Sequence, residues 1–527
     1  MNPPTLLAPL PYLGLAVFCL GTVILARAAE STATLAIDAT KPGPVINKNL
    51  YGQFSEHLGH CIYEGIWVGP DSPIPNTKGY RNDVLAALKT LAVPQLRWPG
   101  GCFADEYHWK DGIGPRETRP SMFNSHWGGV VENNHFGTHE FLDLCELLGI
   151  EPYVCLNVGS GTVQEAMEWV EYMTSPASSP MANMRRAHGR DQPWKVPYLA
   201  VGNESWGCGG NMTAAFYADN YKRYNTFIKN YVPGDANRIQ RIACGPNEAN
   251  YEWTETMMKN VPAHQMNGLA LHYYTIPTGD WKKKGSATDF DEGQYAATLR
   301  HTLKMEELIT KHSAIMDKYD PDKKVGLVVD EWGIWTDVEP GTNPGFLYQQ
   351  NSLRDALLAA INLHLFQAHA DRITMANIAQ MVNVLQAMIL TDKEKMIVTP
   401  TYHVFEMFKV HQGATALSLT LTTPDYVVGE TKIPAVSASA SRDAAGKIHV
   451  SLTNANPGTA ITISAALTGV TAKSVSGRIL TAPAVTAHNT FAAPHAVEPA
   501  KFEGAAMANG KLTINLPAKS VVMLTLE

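Results

Sequence analysis

Several signatures of familiar chemistry are missing from this chain. No two of its seven cysteines are spaced as CxxC, which removes the common zinc and redox motifs. HExxH is absent, and with it the metalloprotease pattern. GxSxG is absent, so there is no nucleophile elbow. No GxGxxG follows a strand candidate, which argues against an open dinucleotide-binding sheet. Positive charge is in deficit. Lys and Arg number 42 against 49 Asp and Glu, a net charge of −7, and this leaves no basic footprint for nucleic acid. Neutral or weakly charged substrates suit the balance better. Past the first thirty or so residues no apolar run is long enough to span a bilayer. Tryptophan stops early, since all eleven lie between Trp67 and Trp335.

What is present reads as a globular protein larger than one ordinary domain: 527 residues, 45% apolar and 17% charged. Residues 12–26, "YLGLAVFCLGTVILA", followed by the small-x-small pattern Ala26-Arg27-Ala28, suggest that 1–29 is a signal peptide or N-terminal anchor. The expectation is an exported protein, periplasmic, secreted or membrane-anchored. Between residues 50 and 410 apolar runs alternate with helical patterns. Strand candidates fall at 49–54, 94–98, 152–158, 197–202, 239–245, 268–274, 325–330 and 372–379. The intervening stretches carry apolar residues at helical spacing, with Asn82 and Thr138 as expected N-caps and Gly149 as a stop. Eight such units predict a closed (β/α)8 TIM barrel over 49–411. From 412 to 527 the composition turns to Thr, Val, Ala and Ser in alternation, which predicts an all-β sandwich of jelly-roll type. Lacking tryptophan platforms, it is expected to pack on the barrel rather than bind sugar. Residues 30–48 alternate in the same way and are expected to lend it a strand.

Two segments carry the chemistry. "AVGNESW" ends a strand candidate at Glu204, and "VVDEWGIW" ends another at Glu331. The C-terminal strand ends of such a barrel form its active-site face. Two carboxyls across that mouth are what glycosidic hydrolysis needs, one to protonate the leaving oxygen and one to attack the anomeric carbon or activate water. A lone strand-end Glu is ordinarily a solvated loop residue; the repeated pattern of strand, carboxylate and tryptophan is the signal. Other strand ends bring Glu56 and His57, Arg97 before Pro-Gly-Gly, His272 with Tyr274, and Gln380. Such a ring can hydrogen-bond many hydroxyls, and tryptophan faces can stack on a sugar. "WKKKG" at 281–285 reads as a solvated loop. Cys145 and Cys155 read as core thiols, and the other cysteines leave many pairings open.

"YGQFSEHLGHCIYEGIW", "LRWPGGCFADEYHWKDGIGPRE", "AVGNESWGCGG", "LALHYYT" and "VVDEWGIW" resemble the α-L-arabinofuranosidases of glycoside hydrolase family 51, in order and across the barrel. The resemblance implies a retaining, exo-acting enzyme that releases terminal arabinofuranosyl groups from arabinan, arabinoxylan and related oligosaccharides, with no metal and no organic cofactor. It implies Glu204 as general acid/base and Glu331 as nucleophile. Asn203 would bond the hydroxyl beside the anomeric carbon, and Glu56, Arg97, His272, Tyr274 and Gln380 would surround the furanose. Trp127 and Trp335 would wall the pocket or the next subsite. Many relatives have Asn where this chain has Cys102, whose thiol is a weaker hydrogen-bonding group. Relatives are often hexamers, so a homo-oligomer is expected. The alternative activity is an endo-β-1,4-glucanase or xylanase on the same carboxylate pair. A non-catalytic polysaccharide-binding protein is a further alternative, disfavoured because Asn203, Trp332, His272 and Tyr274 all accompany the two glutamates.

Overall fold

The computed structural model describes residue 1 and residues 31–470, 472–508 and 511–527. The apolar stretch at 12–26 and the expected leader lie outside the described residues. Eight parallel strands close into a barrel: Gly52–Phe54, Gln95–Trp98, Glu151–Leu156, Tyr198–Val201, Gln240–Ala243, Gly268–Thr275, Gly326–Ile334 and Ile373–Ile378. The last closes on the first through Asn377 opposite Gly52 and Ile378 opposite Gln53. The strands are largely buried on both faces because helices cover the outside and side chains fill the inside. Tyr153, Cys155, Ala200, Ile242, Ala270, Val328 and Met375 form that inner layer, all buried.

Local chemistry sets the helix ends. The helix Asn82–Leu91 takes Arg81 rather than Asn82 as its N-cap residue. Thr138–Leu148 is capped by Gly137, whose N–H donates to Glu140 Oε2 at 3.0 Å, one residue earlier than the sequence suggests. It stops at Gly149, whose φ of +70° suits a residue without a Cβ. The long helical pattern before the seventh strand is two helices, Glu292–Thr302 and Lys304–Tyr319, parted at Leu303.

The seventh strand runs three residues beyond Glu331, where the sequence suggested an end at 330. The pairing explains this. Leu271 faces Val329, but the next residue, His272, faces Glu331, so Asp330 is bulged out of register. A bulge re-aims the side chains that follow it.

The C-terminal part is a ten-stranded sheet with Thr32–Val45 inside it, antiparallel to Thr415–Thr422 and parallel to Ile461–Thr468. The helix Leu353–Ala368 lies between barrel and sheet and is buried almost all round, as an apolar-faced helix with little amphipathic contrast must be. His364 near its end bridges Ser437 and Ser451 at 2.9 and 3.0 Å. Among the described residues no helix is long and apolar enough to cross a membrane.

Ile37, 1% exposed, is paired to Leu419 on one side and Leu467 on the other. Ile37→Ala is expected to cost about 2–5 kcal/mol, read as a lower urea midpoint, because it opens a cavity in mid-sheet.

Candidate active site

Loops after the barrel strands enclose a cavity of about 270 Å³ at the C-terminal mouth, lined by Glu56, Cys102, Trp127, Glu204, His272, Tyr274, Glu331, Trp335 and Gln380 among others. All but two of the eleven residues expected from the sequence line it. Arg97 and Asn203 lie just beneath, both buried.

Arg97 projects from the second strand and is fully buried. Its Nη1 donates to Glu331 Oε1 at 2.8 Å and its Nη2 to Asn203 Oδ1 at 2.6 Å. Its Nε lies 3.5 Å from Asp330 Oδ2. Asp330 in turn accepts from Tyr153 Oη at 2.9 Å and Asn377 Nδ2 at 2.6 Å. The bulge at Asp330 thus lets adjacent carboxylates serve one guanidinium, Asp330 from within the barrel and Glu331 from its mouth.

Glu331 also accepts from Tyr274 Oη at 2.8 Å. Burial alone would raise its pKa, but His272 and Arg97 outweigh burial and hold it below the ordinary carboxylate value. His272 Nδ1 lies 2.9 Å from Glu204 Oε1 and 3.6 Å from Glu331 Oε2. Burial disfavours its charge, yet the carboxylates of Glu331 and Glu204 raise its pKa above the ordinary imidazole value. One oxygen of Glu204, one of Glu331 and a His272 nitrogen all lie within 4.8 Å of one another.

Glu204 stands three residues past the fourth strand, in a turn rather than on the ladder. Its φ is +37°, a left-handed conformation costly for a residue with a Cβ. The N–H groups of Gly207 and Gly209 close on its carbonyl at 2.7 and 3.1 Å.

Glu56 accepts four hydrogen bonds from N–H donors. Its Oε1 accepts from Gly101 N at 2.9 Å, Phe103 N at 3.2 Å and Trp127 Nε1 at 2.9 Å, and its Oε2 from Gln380 Nε2 at 2.9 Å. Burial and the charge of Glu331 nevertheless push it up to about 7. The Pro-Gly-Gly turn lets backbone pass close to both carboxylates. A Cβ on Gly100 would come within 2.6 Å of Glu56 Cγ, and one on Gly101 within 2.6 Å of Glu331 Oε1.

Three features differ from the sequence reading. Cys102 is not a thiol but half of a disulfide to Cys208, with Cα atoms 5.5 Å apart. Its partner is 106 residues away, a pairing that spacing alone could not select. Cys61, Cys145, Cys155 and Cys244 are free and buried. Trp281, expected in a solvated loop, lines the cavity, with its ring 5.3 Å from that of Trp335 although it is 47% exposed. The available hint was a tryptophan just past the sixth strand end, on the active-site face. Trp206, the tryptophan of the first repeated segment, lines the cavity, as does Leu347, which was not singled out. His57 turns away from the site, stacks on Phe103 at 4.8 Å and accepts from Trp98 Nε1 at 3.2 Å.

Comparison with known proteins bears on this geometry. The model described as the α-L-arabinofuranosidase C-terminal domain matches residues 330–520, and that of the α-L-arabinofuranosidase 1 domain matches residues 87–292. An intracellular exo-α-L-arabinofuranosidase of Bacteroides ovatus is 54% identical over 500 residues, covering 95% of this chain and 96% of that protein. The chain belongs to the family 51 α-L-arabinofuranosidases. The crystal structure of the family 51 arabinofuranosidase from Xanthomonas axonopodis pv. citri superimposes with a TM-score of 0.93 at 55% identity, over 94% of this chain and 100% of that one. The arabinose complex of the Thermotoga maritima α-L-arabinofuranosidase does so at 0.82 and 29% identity, over 94% and 99%. The expectation of an exported, periplasmic, secreted or anchored enzyme is corrected by the Bacteroides relative, which is named intracellular while matching 95% of this chain.

Asp105, just past the disulfide, holds the third strand end through Val158 N at 3.0 Å and Gly159 N at 2.8 Å. Burial pushes its carboxyl up to about 7, against those N–H groups and that of Asn203. The unfolded carboxyl ionises near its ordinary value of about 3.9, so across that window the folded state binds more protons and stability falls as pH rises. In Asp105→Asn the loss of stability between about pH 5 and about pH 8 is expected to shrink, as measured by urea denaturation at each pH.

Proposed function

We propose that this protein is a retaining, exo-acting α-L-arabinofuranosidase that releases terminal α-L-arabinofuranosyl groups from arabinan- and arabinoxylan-type polysaccharides and oligosaccharides. The observation that carries the reading is the approach of Glu204 and Glu331 to within 4.8 Å around His272. Retaining enzymes hold their two carboxyls about 5–5.5 Å apart, too close for a water to attack from the opposite face. The cavity at the barrel mouth, about 270 Å³ and walled by Trp127 and Trp335, favours release of a terminal sugar over binding along a chain.

In this reading Glu331, kept ionised by His272 and Arg97, attacks the anomeric carbon. Glu204 gives a proton to the leaving oxygen, and the proton held between His272 Nδ1 and Glu204 Oε1 is at hand for it. An arabinosyl ester forms on Glu331. Glu204 then takes a proton from water, which hydrolyses the ester with net retention. Asn203 is fixed by Arg97 beside the anomeric position. Glu56 and Gln380 bind the far hydroxyls, and Tyr274 steadies the nucleophile. The chemistry needs no metal or organic cofactor. Homo-oligomerisation is part of the proposal and is checked by light scattering.

Glu331→Ala is expected to lower kcat/KM on an aryl α-L-arabinofuranoside by at least about 10⁴-fold. Glu204→Ala should lower it by about 10²–10⁴-fold on arabino-oligosaccharides. Because Glu331 titrates below the ordinary carboxylate value, the acid limb of kcat/KM assigned to it should lie below about pH 4.3. Cleavage of a β-1,4-glucan with no release from the arabinofuranoside would instead establish the endo-acting alternative.

A further inference from the structure

We propose that the Cys102–Cys208 disulfide is a reducible tether that positions Glu204, so that thiol–disulfide exchange at this bond switches off acid/base assistance while leaving nucleophilic attack in place. The proposal rests on the reading of Glu204 and Glu331 given above.

The bond joins two different loops. Cys102 opens the short turn Cys102–Asp105 that follows Gly101. Cys208 sits in the turn whose N–H groups close on the Glu204 carbonyl. Its sulfur lies 3.5 Å from Glu204 Oε2, and the sulfur of Cys102 lies 3.9 Å from the same oxygen. Neither sulfur carries a hydrogen in the disulfide, so both act as a wall rather than as donors. Glu204 needs such restraint, because a left-handed φ on a residue with a Cβ persists only where the surroundings impose it. Glu331 is held otherwise. It lies on a paired barrel strand and is bonded to Arg97 and Tyr274, with no covalent link to the turn.

Both sulfurs are half-buried and Cys102 lines the cavity, so a small dithiol can reach the bond by the path the substrate takes. Among the described residues the other four cysteines, Cys61, Cys145, Cys155 and Cys244, are buried. In the exchange, a thiolate of the dithiol attacks one sulfur, the Cys102–Cys208 bond breaks and a mixed disulfide forms. The second thiol of the reagent displaces the enzyme sulfur. The reagent leaves as its own disulfide, two electrons have passed to the protein, and Cys102 and Cys208 end as thiols.

A leaving group decides the test. A 2,4-dinitrophenolate departs without protonation, whereas a sugar alkoxide does not. The quantity kcat/KM reports binding and the first covalent step, not the later hydrolysis of the ester. Treatment of the full-length enzyme with dithiothreitol, followed by thiol counting, is expected to expose two further thiols. It should lower kcat/KM on an arabino-oligosaccharide at least about tenfold, with less than about threefold change on 2,4-dinitrophenyl α-L-arabinofuranoside. Reoxidation should restore the oligosaccharide rate. The variant Cys102→Ser/Cys208→Ser should show the reduced pattern and ignore dithiothreitol. A parallel fall on both substrates, in the reduced enzyme or the variant, would mean a general structural role and overturn the proposal. So would unchanged rates after verified reduction, or the absence of a disulfide in the untreated protein. Failure of the parent reading looks different, since the untreated enzyme would then release arabinose from neither substrate.

Discussion

The buried guanidinium of Arg97 is the constraint around which the barrel mouth is arranged. A charge with no exposed surface must be matched by partners, and removal of one such partner costs about 3–5 kcal/mol because the other charge is left unpaired. The matching here spans three strands and one turn: Asp330 and Glu331 on the seventh strand, Asn203 after the fourth, and the Phe54 ring 4.4 Å beneath. The bulge at Asp330 follows from that demand. On a regular strand, residues 330 and 331 would point to opposite faces of the sheet. The register slip beside Leu271 and His272 brings both carboxylates to the same cation.

Around this centre the charges are sorted rather than merely collected. Glu331 is held ionised, and that charge is one reason Glu56 is pushed up to about 7 despite four N–H donors. His272 lies between Glu204 and Glu331, and their charges raise its pKa above the ordinary imidazole value. The loop that supplies Trp127 is fixed from outside the site. Arg119 and Arg116 bind Glu140 at 3.0 Å each, and Asn124 Nδ2 donates to the carbonyl of His57 at 2.7 Å. A tryptophan wall is therefore present before any sugar arrives.

Much of this was legible in the sequence, and what was not has physical reasons. The eight strands declare themselves because buried parallel strands are mostly apolar, and barrel topology then places Glu204, Glu331, Arg97 and His272 at one mouth. The Cys102–Cys208 bond was not legible, because it depends on two loops meeting in space across more than a hundred residues. Trp281 was hidden by its setting in a run of lysines, where charge outweighs one ring in any local pattern. The end of the seventh strand was misplaced because the bulge is a pairing event and leaves no trace in composition. Helix starts shifted by one residue for a similar reason: at Thr138 the capping contact is made by Glu140 to the preceding Gly137 backbone.

The two glutamates differ in how they are mounted, and the proposed chemistry explains why. The attacking carboxylate must meet one carbon along one line, so a side chain on a hydrogen-bonded strand, pinned by Arg97 and Tyr274, suits it. The acid/base carboxyl has two tasks at different atoms: it protonates the leaving oxygen first and deprotonates a water later. A turn gives it the small freedom those two positions need. A turn alone would give too much, since misplacement by about 1 Å can cost two orders of magnitude in rate. The left-handed backbone at Glu204, the closing N–H groups of Gly207 and Gly209, the bond from His272 and the sulfur wall together narrow that freedom without removing it.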